Sequence, residues 1–450
     1  MSLRWMNNQR KSLAFKRLTS VSSKRSKSQE LRVFYLNNTE NAVTIQPRFS
    51  VFMKDVQVPL RKLPKMTSTP MTYARARLWL GIFGVGSLVT ICTVALLCGL
   101  APRWLSSSTQ FSGSDLLQLS GIALIFIVWL APFDFLGGYR LPQKYLRSDE
   151  SFGKWLSSYL GAAIAQSLLF IAFAWLILLF GRWLGLRGAV SVVVLAIGFC
   201  FVLRNRSMRF RRVESLAGSD KLLDSLTLIQ SWQIFVPNII VVRHQDVGFT
   251  GGIIGFGNSA TIVIPQAWLG VMSKAELATV IARRAIAFNS GSYYRGLTFA
   301  CGWNLLGFAI CTQLPNAGVE SVAALANTIC GFTLWSFLGL LTLPTLSRNA
   351  SLQIDHLLSE RGTPKDLIYN TADSFDRMQD GEHSRPRWVE TIFHPVPSVG
   401  RRNALPHQGP AAWNVARTAL FFSWACFGVL SRAVHCNVGR PELWTMLPID

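Results

Sequence analysis

Two adjacent arginines, Arg283 and Arg284, lie at the centre of residues 276–291, ELATVIARRAIAFNSG, whose apolar positions recur at helical spacing. Neither can hold a metal ion. A guanidinium stays protonated and offers no lone pair, and two neighbouring cations repel a divalent ion. Metal chemistry would therefore fall to His244, His356, His383 or His394, and none of these makes a ligand pair at helical spacing. His356, beside Asp355, reads as a helix-surface residue. Other catalytic signatures are missing as well: the sequence has no G-x-S-x-G nucleophile elbow, no P-loop and no paired carboxylates inside an apolar run. Asp134 lies near the end of such a run, where an ionisable residue is a functional candidate by default. Its neighbours Gly137 and Arg140 place it instead at a membrane interface.

The elements that position these residues are set by apolar patterning. The chain has 450 residues, of which 50% are hydrophobic and 15% charged. Uncharged apolar runs cover residues 78–102, 116–132, 155–181, 188–203, 296–319 and 321–347. Such runs are membrane-span candidates. The stretch 418–431, between Arg417 and Arg432, fits a seventh span or a buried or re-entrant helix, and its length does not decide between them. The net charge of +22 follows the positive-inside rule. Arg140, Lys144, Arg147 and Lys154 follow the second run, and Arg204, Arg206, Arg209, Arg211 and Arg212 follow the fourth. The opposite loops carry only Arg103, and then Arg182 and Arg187. This alternation places the N-terminus and residues 205–295 on the cytoplasmic side and leaves no charge to be explained by nucleic acid. The eight cysteines form no CxxC pair, which excludes a cysteine zinc ribbon and gives no disulfide framework.

Six segments follow from this pattern. Residues 1–70 are a basic, disordered arm, with an organelle-targeting peptide as an alternative. Residues 71–212 form a four-span region, 213–295 an α+β region, and 296–347 a transmembrane hairpin. Residues 348–409 form a second helical region, and 410–450 hold the candidate seventh helix and a tail. Within the α+β region, IIVVRH and ATIVIP have strand character. The glycines between them make a hairpin turn, because they lead into a strand and not into a helix that could cradle phosphate. Ser273 and Glu276 match a capping box that opens the next helix.

This order resembles the membrane zinc metallopeptidases of the HtpX and CAAX prenyl protease type. The matched residues are Ser273, Glu276, Leu277 and Val280 at the start of the motif helix, and Ser347, Arg348 and Asp355 after the hairpin. His394, Pro395 and Arg401 match in FHPVPSVGRR. The resemblance spans roughly residues 215–405 and implies an α-helical polytopic membrane protein with a small α+β zincin-like cytoplasmic domain. It also implies zinc, held by two histidines of HExxH and a distant glutamate. Every one of those positions departs from the pattern. The histidine ligands align with Arg283 and Ala287, the catalytic glutamate with Arg284, and the glutamate ligand with Ser351, while Glu276, Asp355, His394 and Arg401 are retained.

The implied reading is a degenerate member, a pseudoprotease that uses no metal and binds, scaffolds or regulates. The alternatives are an active metalloendopeptidase with a non-standard site and an unrelated polytopic protein such as a transporter component. Its partners would be the lipid bilayer and a membrane protein or an extended polypeptide, the latter paired along ATIVIP as an edge strand. If the fold is kept, Arg283 points toward Asp355 and supplies the positive charge that zinc supplies in the family. The competing expectation is that both arginines face solvent or lipid headgroups.

Overall fold

The computed structural model describes residues 71–212, 220–244, 249–379, 385–402 and 411–444. The arm 1–70, His383 and the 445–450 tail lie outside the described residues.

The apolar runs form helices. α1 (Tyr73–Leu97) starts at Thr72, whose hydroxyl accepts from the Arg75 amide. α2 (Gly113–Phe135) opens with a Ser112–Asp115 capping box and continues through a π-helical turn, so that the apolar helix runs Gly113–Lys144. α3 (Phe152–Phe210) holds two of the sequence runs in one 59-residue element, broken at Gly185 with φ 59° and ψ −147°. That conformation is open only to glycine, and the chain turns back there, with Ile177 and Leu178 packing in one cluster with Val192 and Val193. α1, the extended α2, α3 and the later helix Val322–Glu360 are long and apolar enough to cross a membrane, which makes the molecule a polytopic helical membrane protein.

The chain then leaves the helical bundle for a small α+β unit. α4 (Asp220–Ser231) precedes β1 (Asn238–Val242), β2 (Gly252–Ile254) and β3 (Thr261–Pro265), and α5 (Lys274–Asn289) follows. The strand order is β1-β3-β2, with β1 parallel to β3 and β2 antiparallel to it. Two expectations change here. The glycine-rich stretch is not a hairpin turn between the two predicted strands, which run parallel, because it contains β2 and carries the chain back across β3. The ATIVIP strand is central and not an edge, so both of its sides are taken and it cannot accept an added peptide strand. The outer edge of β2 is engaged too: Arg204, at the end of α3, donates to the Ile253 carbonyl at 2.8 Å.

α6 (Ser292–Cys311) and α7 (Val322–Glu360) stand where the sequence predicts a transmembrane hairpin, but of the two only α7 is among the helices long and apolar enough to cross a membrane. α7 has 39 residues and runs on past Pro344. At about 1.5 Å rise per residue, this one helix carries both a membrane segment and Ser351 and Asp355. α8 (Lys365–Gln379) and α9 (Arg387–Phe393) close the α+β unit.

The last segment resolves the open question about residues 418–431. α10 (Val415–Phe422) ends in a short 3-10 turn, and the apolar helical piece Val415–Cys426 is too short to span. It packs inside the bundle: Phe422, Cys426, Phe427 and Leu430 are at most 2% exposed. Asp134 is buried in the protein as well. It is 1% exposed, accepts from Arg432 Nε at 2.8 Å and from the Gly439 amide at 2.8 Å, and so ties α2 to this internal segment. Arg432 also donates to Gln166 and Tyr159 of α3. An ion pair this deep holds because every polar atom it brings in finds a partner.

Candidate functional site

α5 is the element that carries the site. Its Ser273–Glu276 capping box is formed, with Ser273 Oγ accepting from the Glu276 amide at 3.2 Å and Glu276 Oε2 accepting from the Ser273 amide at 2.9 Å. Ser374 of α8 donates to the other Glu276 oxygen at 2.5 Å, so the cap also fastens α8 to α5. Burial raises the Glu276 pKa, but the hydrogen bonds from Ser374 and Ser273 and the charge of Arg377 outweigh it and hold the carboxyl below its ordinary value. Leu277, Ile281, Ala285 and Ala287 are fully buried against the sheet and α7, which fixes the rotation of the helix.

That rotation sends the two arginines in different directions. Arg283 Nε donates to Asp355 Oδ1 at 2.6 Å, and its Nη2 donates to Ser351 Oγ at 2.9 Å. Both partners lie on α7, four residues apart and therefore on one face. The positions aligned with the first histidine ligand and with the glutamate ligand thus do converge, and a guanidinium fills the space between them. The indole of Trp413 stacks on the other side of Arg283, with the ring centroid 5.8 Å from Cζ. The other Asp355 oxygen is taken by Arg402, so one carboxylate accepts from two buried guanidiniums. Such charge-assisted bonds are strong where water is excluded.

Arg284 turns toward the sheet. Its Nη1 donates to the Val263 carbonyl at 2.8 Å, its Nη2 donates to the Thr250 carbonyl at 2.5 Å, and its guanidinium lies 5.2 Å from the Trp268 ring centroid. Burial, reinforced by the charge of Arg283, lowers its pKa to about 9, so it is still cationic at neutral pH. The two arginines are 9% and 1% exposed, which removes the expectation that they face solvent or headgroups.

Of the retained positions, Arg401 does not reach the site. It faces Glu390 at 3.7 Å, and the next residue, Arg402, makes the contact with Asp355. The doublet RR was visible in the sequence. Which member points inward depends on a 3-10 turn at Val399–Arg401 that the sequence did not announce. Arg348 was matched to the family but given no role. It caps the end of α9 by donating to the carbonyls of Glu390, Thr391 and His394. His394 is partly buried, with its ring centroid 5.3 Å from that of His435. Burial, followed by the charges of Arg385, His435, Arg417 and Arg348, pushes its pKa well below the ordinary value. His356 is on the surface, 3.2 Å from Glu360.

Zinc does not fit this arrangement. The four positions that would bind and use it hold Arg283, Arg284, Ala287 and Ser351, which offer guanidinium, methyl and neutral hydroxyl groups, while catalytic zinc takes nitrogen, sulfur or carboxylate donors. Among the described residues, no three His, Cys, Asp or Glu side chains come together as an alternative ligand set.

No family model and no curated protein sequence matches the chain. Among solved structures, it is similar to the crystal structure of Ste24p from S. mikatae, a CAAX prenyl protease, with a TM-score of 0.57 and 13% identity. The match covers 73% of this chain and 86% of that one. The molecule therefore has a Ste24p-like fold, with little sequence identity to that protein.

Proposed function

We propose that this metallopeptidase-like membrane protein is a pseudoprotease, a degenerate relative of the HtpX and CAAX prenyl protease type that binds without hydrolysing. One observation carries the reading. Arg283 bridges Ser351 and Asp355 across the point where the ligands of the active family would meet, and Arg402 closes the carboxylate from its other side. A positively charged side chain substitutes for a metal in holding α5 to α7, so the fold keeps its shape and loses the open coordination position that activates water. The similarity of fold argues against an unrelated transporter component. Binding by strand addition along ATIVIP is not part of the proposal, since that strand is central. By the distribution of basic loops, the α+β unit faces the cytoplasm.

The test is proteolysis by the full-length protein in detergent or nanodiscs. Peptide libraries and prenylated peptides are incubated with it, with and without added zinc. The reading expects no cleavage under either condition. Zinc-dependent cleavage that a chelator abolishes would remove it.

A further inference from the structure

Beside the Arg283–Asp355 bridge lies a cavity of about 60 Å³. Among the described residues its lining includes Arg283, Arg284, Arg385, Arg402 and Arg417 with one acidic residue, Asp376, although the Arg284 guanidinium itself is turned to the sheet. Asp376 pairs with Arg385 at 3.2 Å, and Asp355, behind the wall, engages Arg283 and Arg402. Nε of Arg402 is buried and makes no hydrogen bond. Where the related fold has a cation, this chain has surrounded a small space with cations. Space of this kind suits an anion, since guanidinium forks match tetrahedral oxyanions and gain strength away from water.

A second, larger cavity of about 780 Å³ adjoins it, and His394, Pro395 and Arg417 line both. Its remaining walls combine an apolar part with a charged part that includes Arg77, Arg147, Asp149, Glu150 and Lys154. Leu78, Ile82 and Val85 come from α1, and Phe337, Leu340 and Leu341 come from α7. Both helices are long and apolar enough to cross a membrane, so this apolar wall is built by candidate membrane helices. Its volume is in the range of built ligand sites, about 300–1,000 Å³.

We infer that the two cavities together form a binding site for a lipid with a phosphate monoester head, the head among Arg283, Arg402 and Arg417 and the chains between α1 and α7. Charge complementarity selects the head. A carboxylate brings one charge and two oxygens. A phosphate monoester brings a charge of about −1.5 to −2 and three acceptor oxygens, which suits a site where Arg283, Arg385, Arg402 and Arg417 outnumber the carboxylates Asp376 and Asp355. The adjoining apolar volume selects a lipid over free phosphate. The inference deepens the pseudoprotease reading and rests on it, because a zinc ion at Ser351 would compete with the anion for the same ground.

The test uses the full-length protein in detergent, with binding followed by calorimetry and thermal shift. The probes are dioctanoyl phosphatidic acid, dioctanoylglycerol and inorganic phosphate. Phosphatidic acid is expected to bind saturably, at least tenfold more tightly than phosphate, with no saturable binding of dioctanoylglycerol. Leu340→Trp fills the apolar space without touching the arginines and should weaken phosphatidic acid at least tenfold while leaving phosphate unchanged. Arg402→Lys keeps the charge, loses the fork and should weaken both. Binding of dioctanoylglycerol as tight as that of phosphatidic acid would show an apolar cavity alone. Phosphate binding as tight as that of the lipid would show an anion site without a lipid. Absence of saturable binding by any probe also overturns the inference. The same preparation is assayed for zinc and for cleavage. Zinc with cleavage defeats the pseudoprotease reading, whereas absence of zinc together with absence of lipid binding defeats only this one.

Discussion

Replacing Asp355 by alanine removes the single acceptor shared by Arg283 and Arg402. In the native structure Arg283 Nε lies 2.6 Å from Oδ1, and both guanidiniums are 9% exposed. After the change two buried cations face each other with no carboxylate between them. Breaking one side of a buried pair costs about 3–5 kcal/mol. Loss of a partner by two cations at once puts Asp355→Ala at the upper end, about 4–5 kcal/mol. For a cooperative unit of several hundred residues, that corresponds to a fall in Tm of roughly 5 °C. Ser351→Ala, which removes one neutral acceptor of the charged Arg283, should cost less, about 1.5–3 kcal/mol. The assay is thermal denaturation of the detergent-solubilised protein, with and without a zinc chelator. The chelator is expected to change nothing. A triple change, Arg283→Met, Asp355→Leu and Arg402→Met, replaces the charges by apolar groups of similar volume and should recover most of the loss, since buried ion networks are often replaceable at little cost. If Asp355→Ala melts with the wild type, or if the chelator alone lowers Tm by several degrees, the idea that a guanidinium has taken over the bridging role of a metal is wrong.

Other consequences follow from the internal segment and the site histidine. A Cβ on Gly138 would sit 1.8 Å from the Gly439 carbonyl oxygen and 2.5 Å from Trp155 Nε1, so Gly138→Ala should displace the C-terminal segment. The expected loss is about 1–3 kcal/mol, with new protease cleavage within 411–444, and an unchanged digestion pattern would contradict the packing. Arg432→Leu leaves Asp134 buried and unpaired and should cost about 3–5 kcal/mol, most of it regained in the Arg432→Leu, Asp134→Leu double variant. For His394, the folded protein binds its proton less readily than the unfolded chain does, whose ordinary value is 6.5. Stability is therefore complete above about pH 6.5 and declines as the pH falls below it. His394→Gln should flatten that decline in Tm measured between pH 7 and pH 5, and an unchanged slope would assign it elsewhere.

Much of this architecture was readable from residue types. The membrane helices follow from uncharged runs, the α5 cap from Ser273 and Glu276, and the contact of Arg283 with Asp355 from the register that the family resemblance supplied. What could not be read depended on partners far apart in the chain. The burial and pairing of Asp134 were not legible because its counter-ion, Arg432, is 298 residues away. The stretch 418–431 reads equally as a span or as a buried helix because apolar residues look alike whether lipid or protein surrounds them. The ATIVIP strand looked like an edge because strand order is set by β2, only three residues long and hidden among glycines. Arg401 was preferred to Arg402 because adjacent residues differ in direction only once the local turn is known.

The account turns on whether a metal sits between α5 and α7. The most direct measurement is the metal content of full-length protein purified without chelators, determined by elemental mass spectrometry before and after exposure to excess zinc. The account predicts far less than one zinc per chain in both samples. One zinc per chain, retained through dialysis and lost on substitution of Ser351 or Asp355, would contradict it.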